Sequence, residues 1–334
     1  MTMDVSLMGL TQHPGDRDPI SCLEELLEQV RTAAHHGFEG LFVGEHHFTD
    51  DIYLDNFQTL ARATAELNGG MRVGTSVCLL PLHQPALVAE RVATLDVLSG
   101  GNVVFGVAAG YRDEEFATLG IDKNERPGRL TEGVEIIRRL WSDDDVSYDG
   151  EYYGFEDVTL RPRPVQESGP PIWLGGSAPG AVRRAAALGD AWLIDPVSTV
   201  STLEKAVDLY ERELTEEPTV RPIRRDVYVA ETTDEAIDIA APYILDKYDS
   251  LVEWGVIEGE GEDASRRERF EAVREGRYVI GSPEEVIAEL ESLNEGLGVD
   301  HLVARVQWPG MAHEHALDAI ELLGREVLPH VEEL

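Results

Sequence analysis

The residues with the most chemical potential lie in one short run, Glu45-His46-His47, which follows the apolar stretch Gly40–Gly44. Imidazole titrates near neutrality, so a histidine at the end of a buried strand can hold or pass a proton beside a reacting group. His46, with Glu45, is the candidate for that work. Structural hydrogen bonding and metal ligation are the competing readings. Adjacent strand residues point to opposite faces, so His46 and His47 are not expected to share one ion, and no HxH or HExxH spacing includes either of them. The expectation is therefore a site without metal. A second run, Gly175-Gly176-Ser177, precedes a helical stripe from Val182 to Leu188. Its glycines let a ligand approach the backbone, and the helix start offers free N–H groups to an anion. It reads as a phosphate loop or as an ordinary tight turn. Arg126 and Arg129 stand before the helix Leu130–Leu140 and are candidates for the same anion, with surface ion pairs as the alternative.

These residues need elements to position them. Eight apolar runs read as strands: Asp4–Gly9, Gly40–Gly44, Arg72–Leu80, Val103–Ala108, Pro171–Leu174, Ala191–Ile194, Asp226–Ala230 and Asp300–Val306. Helical stripes of 3.6-residue period lie between them. Leu23, Leu26, Leu27, Val30 and Ala34 form one, opened by a Ser21…Glu24 capping box. Ser282-Pro283-Glu284-Glu285 opens another, and Gly100-Gly101 stops a third. Strand–helix alternation demands parallel strands, and eight units favour an α/β fold of the (β/α)8 barrel type, one domain over 1–334. A doubly wound sheet would want a Gly-rich turn after the first strand, where Leu10-Thr11-Gln12-His13-Pro14 stands. Two segments break the rhythm. Residues 148–164, after the fourth strand, are aromatic- and proline-rich and read as a hairpin insertion. Residues 245–277, after the seventh, are charged and too long for a plain connection, so they are the candidate lid. Barrel enzymes act where strands end, and His47, His83 and Trp308 fall there as candidate substrate-pocket residues.

The bulk composition bounds what else the chain can be. Hydrophobic residues make up 43% of 334, enough for a sizeable core. No stretch approaches a membrane span, and the start of the chain lacks a secretory pattern, so a cytoplasmic protein is expected. Sixty-four acids against 28 bases, three of them lysine, give a formal charge of −36. Such a surface repels nucleic acid and anionic membranes. It suits molar salt, where screening acts over ~3 Å, and the expectation is a halophilic host. Cys22 and Cys78 are too few for a disulfide framework or a zinc site and are expected as buried small hydrophobes.

Taken in order, several runs resemble the bacterial luciferase-like family: Val43-Gly44-Glu45-His46-His47-Phe48, Val73-Gly74-Thr75-Ser76-Val77, Leu95-Asp96-Val97-Leu98-Ser99-Gly100-Gly101, Pro170-Pro171-Ile172-Trp173-Leu174-Gly175-Gly176 and Leu323-Gly324-Arg325-Glu326-Val327-Leu328-Pro329. The resemblance implies an oxidoreductase or monooxygenase with FMN or the deazaflavin F420, acting on a small organic substrate. It implies that His46 faces the flavin ring, that a non-proline cis peptide at Ser76–Val77 lies behind it, and that Gly175, Gly176 and Ser177 hold the cofactor phosphate. Luciferase proper has Cys-Arg-Gly at the end of the fourth strand. Here Ala108-Ala109-Gly110-Tyr111 stands there, which argues against light emission and leans toward F420, with Ala109, Gly110 and Tyr111 on the cofactor side. With F420 the chain would be a hydride transferase without oxygen chemistry; with FMN, a monooxygenase fed by a separate reductase. A homodimer is implied as well. A metal-dependent hydrolase barrel and a non-catalytic flavin-binding protein are the other classes.

Overall fold

In the computed structural model, residues 2–67, 70–254 and 266–331 are described. Nine parallel strands form one sheet: β1 (Asp4–Gly9), β2 (Gly40–Val43), β3 (Arg72–Cys78), β4 (Val103–Val107), β5 (Ile172–Gly175), β6 (Ala191–Leu193), β7 (Pro222–Val229), β8 (Tyr278–Gly281) and β9 (His301–Arg305). Their spatial order is β6-β5-β4-β3-β2-β1-β9-β7-β8. The sheet curls until its two sides meet. Ile194, just past β6, bridges to Ile223 of β7, its N–H donating to the Pro222 carbonyl at 2.9 Å while its own carbonyl accepts from Arg224 N–H at 3.1 Å. The strand β8 pairs only with the second half of β7, from Asp226 to Val229.

Alternation along the strands separates two cores. Inside the curl, Met8, Phe42, Val104, Trp173, Leu193 and Val303 pack together, with Phe42 stacked on Trp173 at 5.3 Å. On the other face Leu7, Leu41, Val43, Ile172 and Leu302 join the larger cluster under the helices. All four residues of β2 are buried because both faces are covered, which is why it reads as an unbroken apolar run.

Helices lie between the strands: α1 (Pro19–His35), α2 (Asn56–Leu67), α3 (Pro85–Ser99), α4 (Asp113–Leu119), α5 (Arg126–Ser142), α6 (Pro179–Leu188), α7 (Val200–Glu213), α8 (Thr233–Glu253), α9 (Arg266–Arg274), α10 (Pro283–Leu297) and α11 (His313–Leu322). Their ends follow local chemistry. Gly100 closes α3 at φ +69°, and Ser282 caps α10 by accepting from Glu285 N–H. The helix α1 begins earlier than the Ser21…Glu24 box suggests. Asp18 is the cap, accepting from Ser21 N–H at 3.0 Å, and Pro19 takes the first helical position.

Other boundaries also differ from the sequence reading. The third strand stops at Cys78, and Leu80–Leu82 forms a 3-10 turn around Pro81. The strand expected at Asp226 starts at Pro222, because its first half carries Arg224 and Arg225, charges that mask a strand pattern. The strand β8 was not anticipated. Residues 148–164 do contain a hairpin strand, Gly154–Val158, paired with Val146–Asp149. Of the candidate lid, 245–253 is the end of α8 and 266–274 is α9; residues 255–265 lie outside the described residues. Cys22 and Cys78 are both buried. Among the described residues no helix is long and apolar enough to cross a membrane.

One packing detail has a measurable pH signature. Burial pushes the Glu289 carboxyl of α10 up to about 7; Arg274 offsets this only in part and Glu285 adds to it. A carboxyl raised on folding contributes stability below its unfolded value, and that contribution is lost as pH rises toward 7. Glu289→Gln is therefore expected to stabilise the fold by about 1–3 kcal/mol at pH 8, and by less at pH 5.5. Urea unfolding at the two pH values checks this, and a gain independent of pH would contradict it.

Candidate active site

The site grows from the end of β2. Gly44 must lack a side chain there, since a Cβ would come within 3.2 Å of the Met8 methyl and 3.4 Å of the Ser76 carbonyl. The next three residues divide between two buried carboxylates. Glu45 turns inward: its Oε1 accepts from His47 Nε2 at 3.0 Å and His83 Nε2 at 2.8 Å, and its Oε2 accepts from Leu79 N–H. Burial opposes ionisation of Glu45, but these hydrogen bonds prevail and hold the carboxyl well below its usual range. The same hydrogen bond to Glu45 raises the His47 imidazole, against the effect of burial. Ligand atoms of Glu45, His47 and His83 all lie within 4.8 Å of one another, a spacing a metal ion would accept. Their mutual hydrogen bonds already account for it.

His46 belongs to the second carboxylate. Glu115, fully buried on α4, accepts at Oε1 from His46 Nδ1 at 2.9 Å and from the His47 backbone N–H at 2.9 Å. Arg112 stands 3.6 Å from the same oxygen and donates to the His47 carbonyl at 3.1 Å. With Nδ1 protonated toward Glu115, His46 Nε2 is left as an acceptor, and it faces the Tyr111 hydroxyl at 3.2 Å. Burial raises the Tyr111 phenol to about 12, so that group remains a neutral donor at ordinary pH. Three rings surround the imidazole: Tyr53 at 5.6 Å, Tyr111 at 5.5 Å and Trp254 at 6.4 Å. Trp254 caps the C-terminus of α8 and lies under the Arg112 guanidinium, 5.3 Å from its ring centre. The last turns of α8 thus reach across to the strand ends that carry His46 and Tyr111. What results is a proton-accepting nitrogen in a mostly aromatic enclosure, oriented by a buried carboxylate.

Beside it, the Ser76–Val77 peptide is cis and Ser76 Oγ is buried with no partner. Gly175 faces Val77 and Ala108, with Cβ approaches of 3.5 and 3.7 Å. Gly176 holds φ +141°, and its carbonyl accepts from Trp192 Nε1 at 2.9 Å. A Cβ on Gly176 would stand 2.7 Å from the Ala181 Cβ, so the turn from β5 into α6 is built close to the backbone.

The family model described as luciferase-like monooxygenase matches residues 3–301. The chain belongs to that family. It is 28% identical over 325 residues to an FMNH2-dependent dimethylsulfone monooxygenase of Pseudomonas putida, covering 91% of this chain and 87% of that protein. It is 30% identical to an F420-dependent glucose-6-phosphate dehydrogenase of Segniliparus rotundus, covering 93% and 94%. Its fold superposes on a monooxygenase from Streptomyces bottropensis with a TM-score of 0.86 at 25% identity, over 98% and 99% of the two chains. Oxidoreductases of both cofactor types thus stand at similar distance from this luciferase-like chain.

Within this luciferase-like fold, His46 and Tyr111 come together, as do Glu45, His47 and His83. Ala109 and Gly110 continue β4 toward Tyr111, with Gly110 at φ +77°. Gly175, Gly176 and Ser177 link β5 to α6. Arg126 and Arg129 are engaged elsewhere: Arg126 donates to the Lys123 carbonyl at 3.0 Å, and Arg129 pairs with Glu125 at 2.8 Å and lies over the Tyr152 and Tyr153 rings. Trp308 is wholly enclosed in the outer core, 6.3 Å from Tyr228. Sequence reasoning missed Glu115, Tyr53 and Trp254. Glu115 follows two other acids and carries no mark of burial beyond its spacing from Arg112 on a helical turn.

Proposed function

We infer that this chain is a two-electron oxidoreductase that works with a flavin-type cofactor, FMN or F420, on a small organic substrate. The observation that carries the reading is His46, with Nδ1 committed to Glu115 and Nε2 free to exchange a proton with Tyr111 and the chamber. The residues present fit such a cofactor: Ser76 Oγ is a buried hydroxyl without a partner, and Gly175, Gly176 and Ser177 lead without bulky side chains into the start of α6. Ser76, Val77, Ala109, Gly110 and Tyr111 would hold the ring, and Gly175, Gly176 and Ser177 the phosphate. When bound, the cofactor supplies the two-electron chemistry. The chain's own contribution is to place the His46 nitrogen, to surround it with the rings of Tyr53, Tyr111 and Trp254, and to fix the imidazole from behind through Glu115.

The curled sheet is read as a (β/α)8 barrel with the 148–164 hairpin and the α8–α9 region as insertions. We place the chain in the cytoplasm of a salt-adapted host, on its charge of −36, and expect it as a homodimer. F420 is favoured by the small residues Ala108 and Ala109 at the end of β4. If FMN is used instead, a separate reductase would deliver it reduced.

Titration in molar potassium chloride with F420 and with FMN, oxidised and anaerobically reduced, tests the reading through cofactor fluorescence. Saturable binding of F420 alone is expected and makes the enzyme a hydride transferase. Selective binding of reduced FMN would make it a monooxygenase, and binding of neither would overturn the proposal.

A further inference from the structure

The inward face of the curled sheet carries charges that the proton-handling cluster does not use. On β7, Arg224 and Asp226 point inward, while Arg225 between them points outward and donates to the carbonyls of Asp195 and Ser198 at 2.9 and 3.1 Å. On the neighbouring strand β9, Arg305 lies level with Asp226. From α8, Lys247 reaches down and pairs with the same carboxylate. Three basic groups therefore gather about one acid. Burial, with Arg305 and Arg224 nearby, pushes the Lys247 ammonium down to about 7 even though Asp226 favours its charge. The other buried carboxylate of the chamber, Glu115, is already committed to His46, to the His47 N–H and to Arg112.

Arg224 is the unusual member. Its guanidinium makes no hydrogen bond or ion pair among the described residues, and Nε is buried without a partner. Among the described residues, Arg305 donates only from Nε, to the Gln307 carbonyl at 3.2 Å. As a residue Arg224 is only partly buried, although its guanidinium is desolvated and its Nε enclosed. It is also close enough to act electrostatically on the hydroxyls of both Tyr53 and Tyr111. In a chain with 64 acids, arginines elsewhere find carboxylates readily: Arg161 and Arg163 share Asp144, and Arg221 takes both Glu211 and Glu217. Asp226 favours the Arg224 charge but is shared with Lys247 and Arg305, and an enclosed cluster of three cations on one carboxylate is costly unless a further anion arrives to pair with it.

We propose that Arg224 and Arg305 form an anion-binding subsite in the chamber beside His46 and Tyr111, and that the substrate of this enzyme carries an oxyanion group, a carboxylate, sulfonate or phosphate, that seats there. This deepens the oxidoreductase reading above and rests on it. Planar, forked donors suit an oxyanion better than an ammonium would. The subsite would place the reacting carbon of a short substrate toward His46 Nε2 and would select against neutral analogues by leaving Arg224 unpaired.

The test uses the full chain at constant ionic strength, with and without saturating cofactor. Inorganic sulfate, inorganic phosphate, ethanesulfonate and neutral diethyl sulfone are titrated by calorimetry and tryptophan fluorescence. Saturable binding of the anions but not of the sulfone is expected. The affinity should fall at least about tenfold in Arg224→Met and less in Arg224→Lys, and stay unchanged in the surface control Arg62→Met. The lysine variant also covers the case in which the methionine variant fails to fold. Cofactor affinity should be the same in all of them. No anion binding, or equal binding in Arg224→Met, overturns the subsite while leaving the oxidoreductase reading intact. Loss of cofactor binding in Arg224→Met would assign the arginine to the cofactor's phosphate and overturn the substrate inference. Failure of the parent chain to bind either cofactor defeats the underlying reading instead.

Discussion

Replacing His46 with alanine is expected to slow turnover by about 10²–10⁴-fold, the range over which a positioned general acid or base contributes. The imidazole is the one titratable ring that meets both Glu115 and Tyr111, and no other described side chain offers an unprotonated nitrogen at that point in the enclosure. Cofactor affinity should change little, because the proposed phosphate loop Gly175-Gly176-Ser177 lies at the end of another strand. Glu115→Gln should fall between parent and alanine variant. It keeps an oxygen that accepts from His46 Nδ1 but loses the charge that Arg112 faces at 3.6 Å. Rapid-mixing measurements of cofactor absorbance, with binding measured separately, distinguish these effects. An alanine variant that turns over within about threefold of the parent would remove His46 from the chemistry.

The second large effect is on folding. A Cβ at Gly106, in the middle of β4, would stand 2.0 Å from the Thr75 carbonyl oxygen. The obstacle is backbone on β3 and cannot swing aside. It lies where the β3–β4 register shifts between Thr75 and Cys78, and Thr75 Oγ1 donates to the Gly106 carbonyl at 2.6 Å. Gly106→Ala should therefore cost more than about 3 kcal/mol and sharply lower the soluble yield. Gly296→Ala is the control. That glycine sits in α10 with nothing within 4 Å of the added carbon, so the variant should gain about 0.5–1 kcal/mol from helix propensity. Thermal unfolding of the pair tests the contrast. Equal midpoints would mean that β3 and β4 do not approach as described.

The legible parts of this chain were those in which a local pattern has one physical meaning. The continuous apolar run of β2, the glycine stop after α3 and the Ser282-Pro283 start of α10 could each be read directly. The Glu45-His46-His47 run pointed to the candidate site because titratable rings directly after a buried strand are chemically loaded. What could not be read depended on partners far apart in the chain. Glu115 joins His46 across 69 positions, and His83 joins Glu45 across 38. The strand β7 was misplaced because Arg224, Arg225 and Asp226 look like surface. In a strand, alternate charges must point inward, and that is the signal which would have exposed the cationic chamber. Arg126 and Arg129 stand near a helix start, which suggests an anion, and in the fold Arg129 pairs with Glu125 one turn away.

The division of Glu45, His46 and His47 between two carboxylates has a consequence for the two neighbouring rings. His46 presents Nδ1 to its acid, whereas His47 presents Nε2. In their neutral forms they are consequently opposite tautomers, although they are consecutive residues of the same type. One offers the chamber a bare Nε2, and the other spends that atom on structure and leaves its Nδ1 lone pair outside the carboxylate's reach. Nitrogen NMR of the labelled rings would see the two as mirror cases, and shifting the pair by one residue would exchange a base for a strut.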